Sequence, residues 1–333
     1  MFQERTDYLP APDNWGQWAP MLKDVALWRP VIQCICQENE LGPVEEIEGG
    51  YAGTCAVFIV DRQTVIKIFP PFLPDDFLRE VEAYELVGAR LDPYMPELLA
   101  YGSYPDQIDW HYLAITYLPG EPIREVRSLM TPEDKLAAAR ELGWTIRRLH
   151  QTPLEKAEVL VPKSEEWLAF LGRRRKECLL ELKDNTNLPL EVLREVARFL
   201  TPGQLVPSRD FQLKLLNGDF TEDHLLLVYR LGEWRMSGLI DWADALVGVS
   251  EYEWVALWFG LCSQEVEMFR EVLATYDPEI RLDNPFRRRM MAYTFIHRFG
   301  PTIIGDMLRK PGAPAVRSLV DLQTWLWPPM LSI

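Results

Sequence analysis

The 333-residue sequence lacks several signatures, and each absence removes a class of function. No apolar run approaches the roughly 20 residues that cross a bilayer. The first residues, MFQERTDYLPAPDNWGQW, are polar and proline-bearing where a secretory leader would be apolar. Basic residues are scarce: 35 Lys and Arg stand against 50 Asp and Glu, a formal net charge of −15. Nucleic acid is therefore not an expected partner. The dense basic runs RRRK (173–176) and FRRRM (286–290) sit in helical patterns, where a solvated face is the simplest account. The five cysteines include no CxxC pair, and Cys34 and Cys36, two apart on an expected helix, point away from each other. Reduced, structural thiols in a cytoplasmic protein are expected. There is no Gly-Lys-Ser/Thr of a Walker A loop, no internal repeat and no low-complexity tract.

What is present describes an ordinary globular protein. Hydrophobic residues make up 48 % and charged residues 26 %, so a real core can form. The length exceeds one compact core and favours two lobes. Twelve tryptophans point to a well-packed interior. Residues 1–17 read as an irregular arm. Residues 21–42 carry a helical pattern that ends at Gly42, with Pro30 kinking it or opening a second piece. PVEEIEGGYAGTCAVFIVD (43–61) and RQTVIKIFPP (62–71) read as strands joined by a turn at 61–63. Residues 75–92 read as a helix capped by Asp75 or Asp76 and closed near Gly88. Two more strands follow, at 96–106 and 110–123. After Pro119–Gly120 helices dominate: one over 131–150 capped by Thr131, one or two over 164–201, and more from about 251 onward. A pair of short strands around 213–241 interrupts them. The expected fold is α+β and two-lobed. It has an N-terminal arm and helix (1–42), a small antiparallel β lobe with one key helix (43–118), and a larger, mainly helical lobe (119–333).

Several residues stand out chemically. Glycines in EGGYAGT (48–54), chiefly Gly49, Gly50 and Gly53 with Thr54, let the backbone approach phosphate oxygens, though a plain hairpin turn explains them as well. Lys67 lies among Val65, Ile66, Ile68 and Phe69, where an ammonium is costly without a partner. The next helix offers Glu80, the favoured partner, and Glu82, the alternative. In NGDFTEDHLLL (217–227), Asp219 is placed to orient an attacking hydroxyl and His224 to ligate metal. Asp241, in SGLIDWAD (237–244), is a second candidate ligand; carboxylate oxygens suit Mg²⁺. Each Asp alone reads as a turn residue. All of them in this order read as the parts of phosphoryl transfer.

These motifs resemble the aminoglycoside phosphotransferase family, to which choline and homoserine kinases look related, within the protein-kinase-like fold. The resemblance rests on Gly218, Asp219 and Phe220, on Leu239–Trp242 (LIDW), on LGWTIRRLH (142–150) and on YLAITYLPGEPI (112–123), in order from about 43 to about 260. It implies Asp219 as the catalytic carboxylate, His224 and Asp241 at the Mg²⁺ positions, and Lys67 with Glu80 on the phosphates. It also implies a hinge at Thr116–Leu118 for the purine, with Ile115 beside the base. The pattern departs from the family at Asn217 for His, His224 for Asn, Val249 for Asp and Glu253 for a later Asp. Asn217 can still donate and accept hydrogen bonds; imidazole nitrogen is softer than Mg²⁺ prefers. His-Arg-Asp, Asp-Phe-Gly and Ala-Pro-Glu are absent, so a protein substrate is not expected.

The resulting expectation is an ATP- or GTP-dependent enzyme that moves the γ-phosphate to a hydroxyl of a small molecule, with Mg²⁺. The acidic balance favours a cationic acceptor of the aminoglycoside type, and with it a role in antibiotic resistance. Asp244, Glu251 and Glu253 are the candidate acids on the substrate side. A kinase-like module that binds nucleotide with weak turnover or none is the second reading. No membrane or nucleic-acid partner is expected.

Overall fold

The computed structural model describes residues 8–329 apart from 52, 162 and 206–210. The small lobe is built on a five-stranded antiparallel sheet in the order β1-β2-β3-β5-β4. Its strands are β1 (Ile47–Gly49), β2 (Ala56–Val60), β3 (Thr64–Ile68), β4 (Leu98–Pro105) and β5 (Asp109–Thr116). The expected turn falls between β2 and β3, where Asp61 and Arg62 take φ values of 50° and 52°. Such left-handed pairs match the twist of a tight hairpin.

Alternation along β3 decides what faces the cleft. Ile66 and Ile68 point to one face, where Phe58, Trp110 and Tyr112 join the helix Val25–Glu38 in a core of their own. Lys67 points to the other face, toward the helix Pro74–Val87. The helix Val25–Glu38 runs straight through Pro30 rather than restarting there. Its buried face, including Trp28, Val31, Ile32 and Ile35, holds it against the sheet. Part of the expected irregular arm is ordered too: Trp15–Trp18 form a helical turn capped by Asn14, while residues 1–7 lie outside the described residues.

The helix Pro74–Val87 starts two or three residues earlier than a cap at Asp75 or Asp76 implies. Leu73 occupies the cap position and Pro74 the first turn, where its fixed φ fits and its missing N–H costs nothing. Asp75 and Asp76 sit in the first turn, favoured by the helix dipole, instead of capping it. The helix closes at Gly88, as its φ of 50° requires.

The chain crosses into the larger lobe over residues 117–120. Gly120 has φ 148°, and a side chain there would collide with Ser237. Beyond it, β6 (Glu121–Pro122) joins β8 (Leu225–Arg230) and β9 (Glu233–Leu239) in a three-stranded sheet. The region expected to hold a strand pair, around 213–241, also contains β7 (Lys214–Leu216), which pairs with β10 (Leu246–Gly248) just beyond it. Helices surround these sheets. Pro132–Leu149 opens on a capping box between Thr131 and Asp134, and Ser164–Asn185, Leu190–Phe199 and Asn284–Ile296 follow in the chain. Their shared core is aromatic, with Trp254, Trp258, Phe269 and Trp327 all buried. In the basic run 173–176 Arg173, Arg175 and Lys176 are exposed as expected, but the Arg174 guanidinium reaches Glu181 with two bonds of 2.8 Å and the Ile296 carbonyl at 3.0 Å. No helix among the described residues is long and apolar enough to cross a membrane.

Candidate active site

The cleft between the lobes brings together residues far apart in sequence. Lys67 is placed by β3, with Nζ 2.7 Å from both carboxylate oxygens of Glu80 and 3.0 Å from Asp241 Oδ1. Glu80 is completely buried and the Lys67 side chain is 8 % exposed. A pair so buried persists only because each charge answers the other. Burial alone would push the lysine down; Asp241 and Glu80 outweigh it and keep the ammonium protonated. Glu82 does a different job. Its carboxylate accepts the backbone N–H groups of Glu158, Val159 and Leu160, tying the helix to the loop that follows His150.

The glycine loop lies between β1 and β2. Gly50 donates to the Val57 carbonyl at 2.7 Å, and a Cβ there would press on the Val57 side chain. At Gly49 and Gly53 an added Cβ would meet nothing within 4 Å, so the backbone there is open on one side. The Thr54 carbonyl accepts from Trp18 Nε1 at 2.8 Å, which anchors the base of the loop to the N-terminal segment. At the crossing between lobes, Ile115 is buried in the cleft-side core and Thr116 is bonded to Glu97 through both its N–H and its hydroxyl. Leu118 packs over Gly238 of β9, where a Cβ would strike its side chain.

Two loops of the larger lobe complete the cleft. After β7 the chain turns at Gly218, whose φ is 83° and whose missing side chain leaves room for the Asp244 carbonyl. The Asn217 and Gly218 N–H groups both donate to the buried carboxylate of Glu253, at 3.0 and 2.9 Å. Asn217 spans the two loops: its Oδ1 accepts from Asp219 N at 3.1 Å and its Nδ2 donates to the Asp241 carbonyl at 2.7 Å. The pairing of Leu225 with Leu239 then sets His224 beside Asp241. His224 Nδ1 donates to the Asp219 carbonyl at 2.6 Å, which turns Nε2 toward Asp241 Oδ2 at 3.5 Å. Asp241 itself takes a left-handed φ of 67°, a conformation rare for a residue with a side chain and typical of functional turns.

The electrostatics separate the two aspartates. Desolvation in the cleft pushes Asp241 up, but Lys67 and His224 outweigh it and hold the carboxyl well below the usual range. Asp219 moves the other way: burial raises it, with His224 opposing and Asp241 adding. Asp241 is thus a permanent anion suited to a cation, and Asp219 a more basic carboxylate suited to an acceptor proton. Asp241 Oδ2 and His224 Nε2 form a two-donor set with the imidazole tautomer already fixed. That set fits a divalent ion whose remaining ligands come from phosphate and water. No cluster of three such side chains occurs among the described residues.

The acids expected on the substrate side sit otherwise. Glu253 has no exposed surface and is consumed in bracing the loop before Asp219, with His150 Nε2 at 3.4 Å on its far side. Glu251 faces Arg289 at 3.8 Å, and Asp244 is paired with Arg298. Val249 occupies the cap position of the helix Ser250–Ala256 without a capping side chain. The brace at Glu253 and the bridge at Asn217 escape sequence reasoning, because their partners lie 24 to 36 positions away with no periodic signal.

A family model described as the phosphotransferase enzyme family matches residues 43–288. The chain belongs to that family. Solved structures share the phosphotransferase's two-lobed fold. The GDP complex of wild-type aminoglycoside 2'-phosphotransferase-IIIa superposes with a TM-score of 0.64 at 18 % identity, covering 90 % of this chain and 95 % of that one. The streptomycin–ATP ternary complex of APH(2'')-IIa gives 0.57 at 18 %, covering 87 % and 96 %. A putative aminoglycoside phosphotransferase from Ralstonia eutropha gives 0.61 at 13 %, covering 91 % and 95 %. At these identities the likeness establishes the fold, and the resemblance read from the sequence is met by the family match.

Proposed function

We propose that this phosphotransferase moves the γ-phosphate of ATP or GTP to a hydroxyl of a small molecule, through the residues gathered in the cleft. The observation that carries the reading is Lys67 held between Glu80 and Asp241, with Asp219 on the adjoining loop. Lys67 neutralises charge on the nucleotide phosphates, and the loop of Gly49, Gly50, Gly53 and Thr54, open at Gly49 and Gly53, covers them. Ile115, Thr116 and Leu118 hold the purine. Asp241 and His224 hold Mg²⁺, which neutralises charge on the phosphates when bound. Asp219 orients the acceptor hydroxyl and takes its proton, which its raised affinity for protons favours.

The second reading, nucleotide binding without turnover, was founded on Asn217, His224 and Val249. Two of the three substitutions have work in this site: Asn217 makes the bracing bonds and His224 turns Nε2 toward Asp241. That supports an enzyme. No disulfide joins the five cysteines, in keeping with a reducing, cytoplasmic setting.

The test is nucleoside diphosphate release by the purified chain with Mg²⁺, ATP or GTP and a panel of acceptors. Asp219→Ala is expected to abolish acceptor-dependent release and to spare nucleotide binding. Release that survives in Asp219→Ala would remove the role given to that carboxylate. Equal nucleotide affinity with and without Mg²⁺ would remove the metal site.

A further inference from the structure

Asp219 forms part of the wall of a cavity of about 290 Å³ in the larger lobe. An acceptor hydroxyl that meets Asp219 from this side must sit in that cavity. Most of the remaining wall is apolar, supplied by Ala256, Phe259, Phe299, Ile303 and Met307, with the hydroxyl residue Thr221 also lining it. Besides Asp219 the charged lining consists of Asp306 and Lys310 at the rim, both exposed. Asp306 is already paired with Arg309 at 2.6 Å, and Lys310 carries the opposite sign. The Arg298 guanidinium lies over the Phe299 ring, 4.9 Å from its centroid, which adds a cation behind one wall.

The neighbouring cavity does not supply what this one lacks. It measures about 400 Å³, adjoins Asp244, and is rimmed by Arg79, Lys163, Arg173 and Arg298. Its two acids are both answered, Glu166 by Lys163 at 3.2 Å and Asp244 by Arg298. A polycation entering either space would give up hydration of several ammonium groups and find no unpaired carboxylate besides Asp219, which the acceptor hydroxyl itself must meet. Each uncompensated buried charge opposes binding strongly enough to cancel the affinity of a small ligand. An apolar body gains instead from every methylene it buries. The net charge of −15 belongs to the chain as a whole, and the described lining of these two cavities does not share it.

We infer that the acceptor is an alcohol carried on a compact, largely apolar body with at most one positive charge, and that it is not a polycationic aminosugar. The inference rests on the kinase reading of Asp219 given above. Asp219 receives the hydroxyl proton and the acceptor oxygen bonds to the γ-phosphorus as the bond to the nucleoside diphosphate breaks. The products are a phosphate monoester and ADP or GDP.

Two readouts separate this inference from the reading beneath it. Saturation-transfer NMR measures binding of two probe sets to the full chain: neutral alcohols on aromatic or alicyclic frames, and the polycations kanamycin and gentamicin. Nucleoside diphosphate release with the same probes measures turnover. Neutral alcohols are expected to bind and the polycations not. Ile303→Trp, which fills the cavity, is expected to weaken the neutral probes at least about tenfold while nucleotide affinity stays at the wild-type value. Phe259→Trp, on another wall, repeats the test should Ile303→Trp fail to fold. Polycation binding or turnover matching that of the neutral probes would overturn the inference and leave the kinase reading intact. So would neutral probes that fail to bind, or that bind indifferently to both cavity-filling variants. Cavity binding of neutral probes without release by any probe would support the pocket assignment and count against the kinase reading.

Discussion

Asn217 Nδ2 donates to the carbonyl oxygen of Asp241 at 2.7 Å, so one buried amide fixes the distance between the loop bearing Asp219 and the loop bearing the anionic aspartate. The same amide accepts the Asp219 N–H. Asn217→Ala leaves two backbone groups without their partners, at about 1–3 kcal/mol each if they stay dry. Turnover should fall at least tenfold, because displacements of about 1 Å in a positioned site cost that much or more. Urea unfolding and acceptor-dependent release, run in parallel, check both effects; full turnover would remove Asn217 from the positioning of the site.

The Lys67–Glu80 pair couples function to stability. Lys67→Met should eliminate turnover and also destabilise the chain by about 3–5 kcal/mol, since Glu80 would stay buried without its cation. Adding Glu80→Leu should recover most of the stability and none of the turnover. Stability unchanged by the single substitution would show that Glu80 reaches solvent or another partner.

Glu253→Gln tests the buried brace. The amide keeps the shape and loses the charge that strengthens the bonds from the Asn217 and Gly218 N–H groups. A fall in kcat with nearly unchanged KM for nucleotide is the expected pattern, with about 1–3 kcal/mol of lost stability. A change in acceptor KM alone would place Glu253 against the substrate instead.

Acid should destabilise the larger lobe through His297. Its imidazole is stacked on Tyr252 with centroids 4.4 Å apart, and burial, helped by Arg174, pulls its pKa from 6.5 to about 3. The folded chain keeps this ring neutral where the unfolded chain protonates it. Stability is therefore unaffected above pH 6.5 and declines as pH falls toward 3, by about 1.4 kcal/mol per pH unit for this one group. His297→Phe should flatten that part of the stability–pH curve. An unchanged slope in chemical denaturation between pH 6.5 and 4.5 would show that another group sets the acid limit.

The sequence by itself determined the fold class and the type of most of its elements. Alternation in Thr64–Ile68 put Lys67 on the face opposite Ile66 and Ile68, because neighbouring strand residues must point apart. Helical spacing, the capping residue Thr131 and the glycines at 88 and 120 marked ends and turns, all of which are local effects. The run from Asp219 to Asp241 and the family motifs marked the cleft loops. Tertiary structure decided the rest. Glu80 and Glu82 are two residues apart, and only the packed helix shows that one meets Lys67 and the other a distant loop. Glu253, an acid at the start of a helix, reads as a substrate-side group until the fold buries it beneath Gly218. The total charge was legible, but its distribution over the cavity beside Asp219 was not. Which acids meet which cations depends on contacts between segments tens to hundreds of residues apart, and local sequence carries no record of them.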